Sequence, residues 1–159
     1  MHLVYENTKE EIIAIKKTPV HRPPHLHNAL EIVYVTEGCV ELGVGEELFH
    51  MNQGDIGFIF PNIIHHYQVF SCQRNQAIYL NASPFLVDRF TDILENKAPK
   101  PPVIKASSIE PDVYHAFNSI SRRTKRTTLH WSRRICRLYW QDVSQNFSWL
   151  RRSLSEART

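Results

Sequence analysis

The sequence predicts a mainly β domain, a sandwich or barrel, followed by α-helices. Short apolar runs from Ile12 to Leu80 are separated by turn residues at intervals of about eight to twelve residues, the spacing of an all-β domain. At Ser83-Pro84 the apolar period switches to helical spacing. The chain has 159 residues, 42% of them hydrophobic and 22% charged, enough for one globular unit with its own core.

Each element follows from local chemistry. Ile12, Ile13 and Ile15 form an opening strand that Lys16-Lys17 and Pro19 end. His21-Arg22-Pro23-Pro24 is an extended approach, because proline disfavours helix in the residue before it. Leu30–Thr36 is a strand and Glu37-Gly38 a turn. Val40–Val44 alternates and ends in a hairpin marked by Gly43 and Gly45, and Glu47–His50 returns. Asn52-Gln53-Gly54-Asp55 turns, Ile56–Phe60 is a strand, and Pro61-Asn62 turns again. His66–Ser71 and Ala77–Leu80 complete the set.

Ser83 then serves as a helix N-cap with Pro84 at the first helical position. Leu86, Phe90, Ile93 and Leu94 share a face of this helix, and Asn96 with the Pro99–Pro102 stretch ends it. A second helix begins near Glu110-Pro111 and carries Val113, Phe117 and Ile120 on one face. A third, amphipathic, runs from about Leu129 to Ser155. The expected division is a barrel over 1–82, helices over 83–121 that pack on the barrel or a dimer interface, and a basic tail over 122–159.

Charge separates these parts. Residues 1–121 hold 9 Lys and Arg against 14 Asp and Glu, whereas 122–159 hold 10 against 2. The tail also holds all three tryptophans. Its arginines could meet phosphates, but its apolar stripe favours a packing or dimerising helix. Cys39, Cys72 and Cys136 are an odd set at unpatterned spacings, which points to a reducing compartment rather than a disulfide framework. The N-terminus lacks the long apolar run of a signal peptide, and no window has the length of a membrane span. The expected location is cytoplasmic.

His25, His27 and Glu31 share a parity, so a single strand would aim all three at one side. Two imidazoles and a carboxylate that converge inside a barrel can coordinate a divalent metal. The segment Gly54–His66 can supply a fourth group, and His65 is the candidate. His66, adjacent in a strand, should point the other way.

The spacing His25, His27, Glu31, Gly38 resembles the first motif of the cupins, and Gly54, Pro61 and His65 resemble the second. Val69 stands where the second motif has its final Asn. The resemblance implies a double-stranded β-helix, a jelly-roll barrel, followed by two or three helices. Two longer stretches, Arg22 to Gly38 and Gly54 to Tyr67, are similar to the N-terminal domain of AraC-type transcription regulators. That resemblance covers roughly residues 1–120. It implies a barrel that senses a small polar ligand, often a sugar, and helices that make a homodimer.

The two helix-turn-helix units that follow such barrels have no counterpart in this tail, so the chain alone is not expected to read an operator. The abrupt switch to Arg, Trp and Ser near Ile120 fits a shifted reading frame, and translation of the downstream DNA in its other frames tests that.

Two readings of the site stand at this point. His25, His27, Glu31 and His65 either ligate zinc, iron, nickel or manganese, or line a pocket through hydrogen bonds. Arg22, Tyr34 and Phe58 are candidate ligand-binding residues: Arg22 for an anion or sugar hydroxyl, the aromatics for stacking on a sugar from the barrel wall. No catalytic set is assigned. Glu37, Glu41, Glu46 and Glu47 read as solvated, His50, His115 and His130 as structural, and Cys39 carries no role. The alternative to a sensor is a small metal-dependent cupin enzyme, a dioxygenase or isomerase.

Overall fold

The computed structural model describes residues 4–6, 12–70, 74–83, 94 and 98–123. Among these residues ten strands form two five-stranded sheets. The strands are β1 (Val4–Glu6), β2 (Ile12–Lys17), β3 (Arg22–His27), β4 (Leu30–Glu37), β5 (Cys39–Val44), β6 (Glu47–Asn52), β7 (Ile56–Ile59), β8 (His65–Gln68), β9 (Gln76–Ala82) and β10 (Val103–Ile104). One sheet has the order β1-β3-β8-β5-β6 and the other β10-β7-β4-β9-β2. Pairing is antiparallel except where β1 runs parallel to β3. A short 3-10 turn (Ala106–Ser108) leads into helix α1 (Pro111–Arg123).

The apolar residues divide between two cores. Val33 and Val35 of β4 face the space between the sheets, where they meet Leu42, Met51, Ile59 and Tyr67. Leu30 and Ile32, of opposite parity, face outward with Phe58 and Leu80, and α1 covers them with Val113, Phe117 and Ile120. A strand buried on both faces reads as a continuous apolar run. Gly57 sits close against the inner core: a Cβ there would stand 2.8 Å from Leu42 Cδ2 and 2.9 Å from Val33 Cγ1.

The strands follow the expected order, with three differences that matter. First, His25, His27 and Glu31 do not share a strand. The chain bends at Asn28-Ala29, so the histidines lie on β3 in one sheet and Glu31 on β4 in the other. Second, β8 begins at His65, one residue early, which pairs His65 directly with His25. Third, the barrel does not end at residue 82. β10, from the segment after the prolines, pairs with β7; two residues are too few to show alternation in a sequence.

Helix α1 starts at Pro111, where proline's missing N–H costs nothing. The helices expected over 84–96 and 129–155 lie outside the described residues, apart from Leu94, which is buried in the outer core.

Asp55 fastens the far side of the barrel. It is buried, and its carboxylate accepts from the backbone N–H of Asn52 (3.0 Å) and of Ala106 (2.9 Å) and from Lys105 Nζ (2.8 Å). The Tyr114 hydroxyl donates to the carbonyl of Gly54 at 3.0 Å, which ties α1 to the same turn.

Candidate metal centre

The bend after β3 and the early start of β8 bring three imidazoles together. His25, His27 and His65 are all buried, and one ring nitrogen of each lies within 4.8 Å of the others. Backbone carbonyls hold the rings. His25 Nδ1 meets Pro23 O at 3.0 Å, His27 Nδ1 meets Ala29 O at 3.0 Å, and His65 Nδ1 meets Ile63 O at 2.9 Å. A carbonyl can only accept, so each Nδ1 carries the proton and each Nε2 presents a lone pair. All three Nε2 atoms are buried without a hydrogen-bond partner. Buried polar atoms are nearly always satisfied, so three convergent orphan acceptors mark a place for a cation.

Glu31 enters from the opposite sheet. Its Oε2 lies 3.4 Å from His27 Nε2 and its Oε1 3.7 Å from His65 Nε2. These are electrostatic contacts rather than formed hydrogen bonds, since both nitrogens stay unsatisfied. Oε1 accepts a short hydrogen bond from the Tyr67 hydroxyl.

The electrostatics follow from burial and this one carboxylate. Burial alone would raise the Glu31 carboxyl; His27, His65 and the Tyr67 hydroxyl outweigh it and bring the pKa down to about 2. Burial lowers His65 to about 4, against the pull of Glu31. Burial likewise lowers His25. Burial acts downward on His27 too, but Glu31 overrides it and holds that imidazole above its ordinary value. Burial and the Glu31 charge push the Tyr67 hydroxyl well above the usual phenol range. Around neutral pH the site is therefore an ionised carboxylate beside imidazoles of which two are held neutral, a donor set suited to a divalent ion.

The donors converge on the scale of such an ion, with one separation already at the tetrahedral value and the Glu31–His65 pair at 3.7 Å. Donors at about 2.0–2.1 Å from a tetrahedral metal stand roughly 3.3–3.4 Å apart, and the Glu31–His27 separation already matches at 3.4 Å. The Nδ1–H bonds to carbonyls are the outer contacts that metal-binding histidines ordinarily use to fix tautomer and orientation.

The other expected site residues lie elsewhere. Tyr34 and Phe58 do not line the barrel. Both face outward, with Phe58 in the core beneath α1 and the Tyr34 ring 5.1 Å from Tyr114 and 5.6 Å from Phe117. The reason is parity: Glu31, Val33 and Val35 face in, so Tyr34 faces out. Arg22 is half-buried and forms an ion pair with Glu6 of β1. His66 points to the outer face of its sheet, packed over Gly43, where a Cβ would strike its ring. Tyr67 is the residue that sequence reasoning missed. Its signal was present, since it lies two positions past His65 and so shares the inward face. Asn81, opposite Glu31 in the β4–β9 register, also has a buried side-chain oxygen without a partner.

The sequence pattern of the AraC-like ligand binding domain family matches residues 9–140. The chain belongs to that family. The match runs to residue 140, past the roughly 1–120 that the resemblance was expected to cover. Among solved structures, the AraC-like transcriptional activator CuxR is similar at 12% identity and a TM-score of 0.60, over 84% of this chain and 50% of that one. Fatty-acid-bound ToxT from Vibrio cholerae is similar at 10% identity and a TM-score of 0.58, over 86% of this chain and 54% of that one. At these identities the likeness is one of fold.

This AraC-like chain spans about half the length of both regulators. An RmlC-like cupin from Shewanella frigidimarina matches at 23% identity and a TM-score of 0.38, over 45% of this chain and 65% of that one. No curated protein matches the sequence. Among the described residues no helix is long and apolar enough to cross a membrane.

Proposed function

We propose that this chain is the ligand-sensing part of an AraC-type regulator, that it pairs with a second copy of itself, and that its barrel holds a divalent metal through His25, His27, His65 and Glu31. The observation that carries the metal is the set of three buried, unpartnered Nε2 atoms directed by backbone carbonyls. A bound metal would supply a fixed positive charge and a Lewis acid there. The protein orients the imidazoles, keeps Glu31 ionised and excludes water. Family membership supports the sensing role. Operator recognition belongs to a helix-turn-helix module, and in our reading residues 1–123 do not supply one. A small polar molecule is the ligand class that the family resemblance implies. A carbohydrate is the family-based reading, and its weakness is that Tyr34 and Phe58 do not face the interior.

The test is elemental analysis of protein purified without chelators or a His-tag, beside a His25→Ala/His27→Ala variant. About one metal per chain in the parent and none in the variant supports the site. A parent without metal after attempted reloading leaves a hydrogen-bonding pocket, and sugars would then be screened by thermal shift. A small metal-dependent enzyme is the competing reading. Turnover of a substrate that is lost both on metal removal and in His27→Ala would favour it. Sedimentation of the full chain tests the dimer.

A further inference from the structure

We propose that the molecule this barrel senses is the divalent metal ion itself, enclosed by His25, His27, His65 and a single oxygen of Glu31, with Tyr67 as the residue that positions that carboxylate. The inference rests on the sensor reading above and names its effector.

Two observations lead there. The interior beyond the histidines is filled by the protein: Val33, Leu42, Met51, Ile59 and Tyr67 are each at most 2% exposed. A sugar needs several hydrogen-bonding partners on an open wall, and these side chains offer apolar surface. Among the described residues the unmet polar capacity of the interior lies instead at the three Nε2 atoms and at Asn81 Oδ1, which stands across the β4–β9 register from Glu31, all of them shielded from solvent. A closed set of four donors is the arrangement of a metal that is held rather than one that activates a substrate, since catalytic sites keep a position open.

Tyr67 determines how Glu31 enters that set. Its hydroxyl donates to Oε1, the oxygen at 3.7 Å from His65 Nε2, while Oε2, at 3.4 Å from His27 Nε2, takes no such bond. With Oε1 engaged, Glu31 presents one oxygen to an ion, and three imidazoles plus one oxygen make four. The donors span both sheets, with β3 and β8 on one side and β4 on the other, so an ion links the sheets at this end of the barrel. The outward face of β4 carries Tyr34 against Tyr114 and Phe117 of α1. Binding at Glu31 therefore acts on the strand that seats the helix.

Cobalt(II) is the probe, titrated into the full chain with the visible spectrum recorded before and after azide. The expected result is one equivalent bound with the intense bands of a tetrahedral ion, unchanged by azide, and slower amide exchange in β4 and α1 on loading. Tyr67→Phe should bind cobalt about 10–100-fold more weakly, with a spectrum that moves toward five-coordination and responds to azide.

A five- or six-coordinate, azide-sensitive parent overturns the closed site and leaves metal binding standing. Tetrahedral cobalt with no change of exchange in α1 overturns the effector assignment alone. Parent-like affinity in a folded Tyr67→Phe overturns the positioning role. A chain that binds no cobalt overturns this proposal and the metal reading together, whereas family membership is untouched. Should Tyr67→Phe fail to fold, the azide response and exchange of the parent still decide.

Discussion

The packing of α1 on the outer face of β4 gives a prediction whose size follows from the contacts. Phe117 is buried in the outer core and its ring centre lies 5.6 Å from that of Tyr34. Truncation of a buried Phe to Ala costs about 3–5 kcal/mol from lost transfer energy and the residual cavity. Tyr34 is partly buried there and also meets Tyr114 at 5.1 Å. Replacement by Leu keeps much of its apolar volume and removes two aromatic contacts worth about 0.5–1.5 kcal/mol each. The double-mutant cycle of Tyr34→Leu with Phe117→Leu should return a coupling of about 0.5–1.5 kcal/mol. Urea unfolding of the metal-free chain, followed by circular dichroism, reads all of these. Metal content of the folded variants should match the parent. A coupling near zero, or a Phe117→Ala cost below about 1 kcal/mol, would refute the placement of these rings.

Further outcomes follow from single residues. Gly57→Ala should cost about 1–3 kcal/mol, read by urea unfolding, because the new Cβ meets Leu42 Cδ2 at 2.8 Å and Val33 Cγ1 at 2.9 Å. Asp55→Ala should cost about 1–3 kcal/mol, since it strands the half-buried Ala106 N–H and removes a charged acceptor; hydrogen exchange should show the loss concentrated in the 103–114 segment. In the metal-free chain burial holds His65 at about 4, against the ordinary imidazole value of 6.5. The unfolded state then binds the extra proton, so its share of stability is present above pH 6.5 and is lost as pH falls toward 4. Between pH 7 and 5 that share is about 2 kcal/mol, and an otherwise folded His65→Gln should lack it in matched urea titrations. With metal present, acid should release the ion as the imidazoles protonate, His27 first because Glu31 holds it above its ordinary value.

How much of this was legible in the sequence differs between residues for physical reasons. The pair His25 and His27 and the partner His65 could be read, because strand parity and motif spacing both fix them. Glu31 could be read as a member of the site, but not its position in the opposite sheet. The bend at Asn28-Ala29 carries no glycine or proline to announce it. Tyr34 and Phe58 were misplaced because β4 and β7 are buried on both faces, and a continuous apolar run does not say which face meets which core. The helix that covers them, Pro111–Arg123, lies far along the chain from both, beyond the reach of local pattern. Tyr67 was missed because an aromatic in a strand reads as core; its hydroxyl gains meaning only when Glu31 arrives from the other sheet. The strand order up to Ala82 was legible because turn residues punctuate it, and β10 was not, being two residues long.

X-ray absorption at the zinc edge, on the chain loaded with one equivalent of zinc, tests the central claim most directly. Three imidazoles and one carboxylate oxygen predict four nitrogen or oxygen neighbours at about 2.0–2.1 Å, with the outer-shell scattering of three histidine rings, and this signature should be absent from His25→Ala/His27→Ala treated in the same way. A sulfur neighbour near about 2.3 Å, a spectrum without imidazole scattering, or one unchanged by the double substitution would contradict the account and move the metal away from this barrel.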